Sequence, residues 1–269
     1  MSSPTVFISH GSPMHALEAG ASATGRAWVS LGERLPRPRA ILIASAHWET
    51  DRPALTGSPR PETIHDFYGF PRALYEIRYG APGAPEVAER ARGLLSDAGL
   101  DAAIDPERGL DHGAWTPLLY AYPDADVPVV QVSVQPALGT RHHLALGRAL
   151  APLAAEDVLI VGSGHLTHNL RELRSVRETG IGPAAAYVSE FQDWVREGID
   201  ARDLERLADY RRLSPHGARA HPTEEHFLPL FVALGAAPDG YRAERLVEHV
   251  EGGVLAMDAY VFHPGERSA

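Results

Sequence analysis

Fourteen histidines stand in a chain of 269 residues that has no cysteine, and all 25 basic residues are arginine. Imidazole, carboxylate and hydroxyl are therefore the groups available for chemistry. Three histidine-bearing segments share one setting. The apolar run Thr5–Ile8 leads into Ser9-His10-Gly11-Ser12-Pro13, and Ala40–Ala44 leads into Ser45-Ala46-His47-Trp48-Glu49. Val158–Val161 leads into Gly162-Ser163-Gly164-His165-Leu166-Thr167-His168-Asn169. Each run has the length and character of a buried strand, so each delivers a histidine just past a strand's carboxyl end. In an open parallel sheet those ends share the edge where ligands bind. One histidine after one strand is ordinarily a hydrogen-bonded loop residue. Three, all flanked by small residues, bring His10 and His47 forward as metal ligands.

Two further segments add polar groups to apolar surroundings. Gly109–Pro117 sets Asp111 and His112 between two glycines. His221–Leu230 puts His226 in the first turn of a short apolar helix, where the helix N-terminus disfavours an imidazolium and keeps the ring able to ligate. Glu224 or Glu225 is the rival third ligand, and the sequence leaves open whether His221 or one of these carboxylates supports the metal site. His15, His142, His143, His216, His249 and His263 lack such a setting and read as solvated or structural. Imidazole donors suit Fe(II), Zn(II), Mn(II) or Co(II). One divalent ion on three protein ligands keeps positions open for substrate or water. That supports two chemistries: hydrolysis by a zinc-bound hydroxide, or O2 activation at a non-haem iron.

The elements that must position these groups alternate strand and helix. Besides the three runs above, Val127–Val134 is a buried strand, Leu74–Tyr79 alternates as a strand would, and Leu255–Phe262 is a late strand. Helical patterns cover Val87–Ala98, Tyr187–Ile199, His142–Leu153 and Glu225–Leu234. The expected fold is α/β: a single domain over residues 1–269, with a mostly parallel central sheet flanked by helices and the active site at the strand carboxyl ends.

Composition removes other functions. Without cysteine there are no disulfides, thiolate zinc sites or cysteine nucleophiles. Without lysine there is no Schiff base and no P-loop lysine. A formal net charge of −10 argues against nucleic acid and anionic membranes as partners. No apolar stretch approaches the ~20 residues of a membrane span, and Met1–His10 does not read as a signal peptide. A cytoplasmic protein is expected, with monomer and homo-oligomer both open.

Six motifs occur in order: Ile8–Pro13, Ser45–Trp48, Thr63-Ile-His-Asp-Phe-Tyr-Gly-Phe-Pro71, Gly109–Trp115, Gly162–Asn169 and Glu225–Leu230. Together they resemble the DOPA-dioxygenase-type family of class III extradiol ring-cleaving dioxygenases, relatives of the β-subunit of protocatechuate 4,5-dioxygenase. The resemblance implies a metal held by His10, His47 and His226, with Fe(II) for catalysis and Zn(II) able to take the same site. It implies His168 as the catalytic acid/base and His112 beside the substrate oxygens. His165 stands three residues from His168 and joins His112 in binding substrate. The implied substrates are a DOPA-like catechol or catecholic acid and O2, giving a ring-opened semialdehyde. Zinc-dependent hydrolysis at the same three histidines is the alternative.

Overall fold

Aliphatic runs without polar interruption are stable as strands only when both faces of their sheet are covered. The computed structural model, which describes residues 3–18, 20–179 and 184–265, shows that arrangement. The strands are β1 (Thr5–Ser9), β2 (Ala40–Glu49), β3 (Ala54–Thr56), β4 (Ala103–Asp105), β5 (Val129–Val134) and β6 (Val158–Gly164). Later in the chain come β7 (Arg242–Val247), β8 (Val250–Glu251), β9 (Leu255–Ala256) and β10 (Ala259–His263). Eight form one sheet in the order β4-β3-β5-β2-β6-β1-β10-β7, and β8 pairs with β9. The central strands β5, β2, β6 and β1 run parallel, while β10 joins β1 antiparallel and carries β7 outside it. The fold is α/β, a mostly parallel sheet flanked by helices.

Strand alternation sends Val6 and Ile8, Ile41 and Ile43, and Leu159 and Val161 to one face. There they pack with Trp28 and Leu31 of the helix Ala23–Arg34 and Trp115 and Leu118 of the helix His112–Ala121. Leu42, Val130, Val132 and Ile160 take the other face, against Val87 and Leu95 of the helix Pro85–Asp97 and Leu146 and Leu150 of Gly139–Leu150. All nine residues of the helix Leu228–Ala236 are buried on that side. A buried aliphatic side chain contributes about 1.5–3 kcal/mol, so this two-sided cover holds the carboxyl ends of β2, β6 and β1 side by side. No helix among the described residues is long and apolar enough to cross a membrane.

Two backbone irregularities shape the edge where those strands end. β2 pairs with β5 through Ala44↔Val132, then only again at Glu49↔Val134, so residues 45–48 bulge opposite a single residue. His47 therefore lies in a bent extension of β2, not beyond its end, and the bulge re-aims its side chain. The second is Pro117, inside the helix His112–Ala121. Lacking an N–H, it gives the Gly113 carbonyl no helical donor, and the Ser163 hydroxyl at the end of β6 donates to that carbonyl instead.

Four expected elements take other forms, the late strand Leu255–Phe262 dividing into β9 and β10 of different sheets. Leu74–Tyr79 is not a strand: Arg72–Glu76 makes a short helix after Pro71, closed by the Arg72–Glu76 pair one turn apart, with Leu74 buried. The helix expected from Glu225 begins at Leu228, with Pro229 in its first turn, so His226 precedes the helix. The helix through Leu153 ends at Leu150 and tightens into a 3-10 segment Ala151–Glu156, where Pro152 removes a helical donor.

His143 shows what burial does to a structural imidazole here. The Gln135 N–H donates to its Nε2 at 3.0 Å, and its Nδ1–H donates to the Gly139 carbonyl at 2.7 Å. Burial lowers its pKa from 6.5 to about 4. Unfolding lets this ring take up a proton between those values, so its contribution is intact above about pH 6.5 and stability falls as pH drops toward 4. From pH 7 to 5 this residue should cost about 2 kcal/mol. Denaturant midpoints for wild type and His143→Gln at both pH values would measure it. A variant whose midpoint falls as steeply as wild type's would show that His143 is not the source.

Candidate active site

His10 directly follows β1, His47 sits in the β2 bulge, and His226 lies in the turn before the helix Leu228–Ala236. Their side chains meet. His47 Nε2 is 3.0 Å from His10 Nε2 and 3.3 Å from His226 Nε2. Nitrogens sharing one ion at ~2.0–2.2 Å would stand about 3.0–3.5 Å apart. His10, His47 and His112 each offer a ring nitrogen within 4.8 Å of the others, and beside them His168, Glu225 and His226 offer ligand atoms within 4.8 Å of one another. His168 stacks on His226 with ring centroids 3.5 Å apart and planes 15° apart.

A proton inventory shows what these nitrogens can do. Ser163 donates its single hydroxyl proton to the Gly113 carbonyl, so towards His10 Nδ1, 3.0 Å away, it can only accept. The His10 proton is then on Nδ1 and its Nε2 bears a lone pair. The Glu225 carboxylate, 3.0 Å from His226 Nδ1, makes the same demand on that ring, and the Asp66 carboxylate, a charge contact 3.5 Å from His47 Nδ1, favours the same placement there. The lone pairs of His10 and His226 thus both face His47 Nε2, and with the His47 proton on Nδ1 three lone pairs converge, an arrangement that repels unless a cation lies between them. The donor set fits a divalent ion. The buried three-histidine group has the make-up of a metal site.

Burial, reinforced by the neighbouring imidazoles, drives His10 and His226 well below their ordinary pKa and takes His47 to about 3. Ligands must be neutral to bind, and these are. For His226 the cause is burial, not the helix terminus expected from the sequence. Glu225 is spent on His226 Nδ1, the ring nitrogen that faces away from His47. Glu224 accepts from Tyr210 OH at 3.0 Å. His221 bonds the Leu166 carbonyl at 2.8 Å and stacks on Phe227, a structural placement.

The remaining histidines surround this group. His112 is buried at the start of its helix, with Nδ1 bonded to Asp66 Oδ2 at 2.9 Å. The Gly11 N–H donates to His165 Nε2 at 3.0 Å, which leaves the His165 proton on Nδ1, buried and without a partner among the described residues. Burial, with His112 adding to it, lowers His168 to about 4, so that ring too is neutral at pH 7.

Small residues permit this crowding. A Cβ on Gly113 would lie 2.4 Å from Ser45 Oγ and 3.2 Å from His47 Cδ2, and one on Gly164 would lie 2.1 Å from the His226 carbonyl. Two carboxylates to which the sequence assigned no role complete the site. Asp111, fully buried, accepts from Ser45 Oγ at 2.6 Å, from Arg108 at 3.2 Å and from Gln131. Burial raises its pKa against those bonds. Burial also pushes Asp66 up, but its bonds to His112 and the imidazoles around it outweigh that and hold it below the usual carboxylate range. Their one sequence signal was the company of His65 and His112, which does not say which way a carboxylate turns.

Comparison with known proteins places this geometry. The family described as the catalytic LigB subunit of aromatic ring-opening dioxygenase matches residues 4–261. A 4,5-DOPA dioxygenase extradiol of Beta vulgaris is 42% identical over 261 residues, covering 96% of either chain. A protein of the same description from Escherichia coli K12 is 39% identical over 262 residues, or 94% of this chain and 92% of that one. A crystal structure of an uncharacterized Escherichia coli K12 protein superposes with a TM-score of 0.79 at 33% identity, covering 98% of this chain and all of the other.

Proposed function

Because this chain belongs to the family of the catalytic LigB subunit of aromatic ring-opening dioxygenases, and so is an extradiol dioxygenase, we propose that it opens a DOPA-like catechol or catecholic acid with O2 at Fe(II). The product is a ring-opened semialdehyde. The observation that carries this reading is the convergence of the His10, His47 and His226 Nε2 lone pairs. Those three would hold the ion. Iron supplies the electron relay between catecholate and O2, which zinc, with its filled d shell, lacks.

The remaining roles fall to the other imidazoles. His168, neutral at pH 7, takes a catechol proton and returns it to the departing oxygen. His112 has committed Nδ1 to Asp66, so it first accepts a substrate proton at Nε2 and donates from that atom afterwards. His165 offers its unpartnered Nδ1–H to a substrate oxygen. We read residues 1–269 as one catalytic domain acting on small molecules in the cytoplasm, with neither nucleic acid nor membrane as partner. Zinc hydrolysis is set aside because the family's chemistry is ring opening.

The test is anaerobic reconstitution with Fe(II) or Zn(II), then O2 uptake across a panel of catechols. Iron-loaded protein should consume one O2 per ring opened and zinc-loaded protein none. Equal turnover by rigorously iron-free zinc protein would contradict the reading.

A further inference from the structure

We propose that Asp66 is a positioning residue that sets the proton on two imidazoles at once, so that both His47 and His112 present an unprotonated Nε2 to the site. Asp66 Oδ1 accepts the His112 backbone N–H at 2.9 Å, and Oδ2 accepts His112 Nδ1–H at 2.9 Å. The same Oδ2 stands 3.5 Å from His47 Nδ1. The two rings are 4.0 Å apart, so one oxygen addresses both. A carboxylate only accepts, so the His112 ring bonded to it through Nδ1 carries its proton there, and the charge contact with His47 Nδ1 favours the same placement on that ring.

The loop fixes this oxygen in place. The Ile64 N–H donates to the Leu110 carbonyl at 2.7 Å, and Trp115 Nε1–H donates to the Ile64 carbonyl at 2.9 Å. The Tyr79 N–H donates to Thr63 Oγ1 at 2.9 Å, and Phe67 packs edge-on against His112. Asp66 thus ties a ligand to a substrate-facing ring that lies 65 residues from it in sequence. This inference rests on the proposed function for the roles of His47 and His112, though not for their proton positions.

Asp66→Asn keeps the shape and offers one acceptor where there were two. The amide NH2 must then face one ring nitrogen and force a proton onto the opposite Nε2. An amide in place of an orienting carboxylate costs a serine protease about 10⁴-fold in kcat, and losing a partner of a metal-bound histidine costs 10–100-fold in affinity. Long-range proton–nitrogen NMR of zinc-loaded wild type at pH 8 should place the His112 proton on Nδ1. Asp66→Asn should weaken zinc binding roughly 10–100-fold. When saturated with Fe(II) it should lose about 10²–10⁴-fold in kcat with KM little changed. A proton on His112 Nε2 in wild type overturns the proposal without any variant. So does an Asp66→Asn protein whose zinc affinity and ring protonation match wild type. Should the NMR and zinc results hold while no catechol is opened, the proposed function fails and the role of Asp66 stands.

Discussion

His47→Ala is expected to remove the bound metal and ring cleavage together. His47 Nε2 is the nitrogen closest to both other proposed ligands, at 3.0 and 3.3 Å, so its loss leaves two donors with no bridge between them. Metal stoichiometry should fall from about one to near zero, and catechol-dependent O2 uptake should drop by roughly 10³-fold or more, to background. The metal-free fold should not suffer, because the substitution also removes a lone pair that faces two others. A melting temperature for metal-free His47→Ala equal to or above that of metal-free wild type would express this. A full equivalent of tightly bound ion in the variant would remove His47 from the ligand set.

His168→Ala should separate what His47→Ala joins. The ring stacks on His226 with centroids 3.5 Å apart and is not one of the three proposed ligands, so metal content should remain near normal. The rate should fall by about 10²–10⁴-fold, the worth of a positioned proton-transfer group. Metal stoichiometry and kcat, measured together at saturating catechol and O2, check both halves. Loss of the ion would make His168 a ligand and displace His226. Retention of both ion and rate would pass the proton to His165 or His112.

The sequence reveals most about what repeats along it. Uninterrupted runs such as Ala40–Ala44 and Val158–Val161 are strands because nothing else hides them, and their order along the chain brings His10, His47 and His165 to one edge. Periodicity is weaker where burial is one-sided and short: Leu74–Tyr79 alternates like a strand, yet Pro71 and the Arg72–Glu76 pair favour a helical turn. The start at Leu228 was hidden because Pro229 suits a first helical turn, whereas His226 is held by close packing against β6. Asp66 and Asp111 were out of reach for a different reason. Their importance lies in which atoms they meet across 46 and 66 residues of chain, and no local pattern encodes that.

Pro117 has a consequence for how the ion is loaded. A carbonyl can never donate, so the row from Gly113 through Ser163 to His10 runs in one direction and cannot reverse. A residue with no polar side chain thereby acts as a polariser, one helical turn from the carbonyl it leaves open and two hydrogen bonds from the ring it governs. Metal binding at histidine ordinarily competes with a proton on the coordinating nitrogen. Here the nitrogen is bare before an ion arrives, so capture at the proposed ligand His10 would wait on neither a tautomer flip nor a released proton.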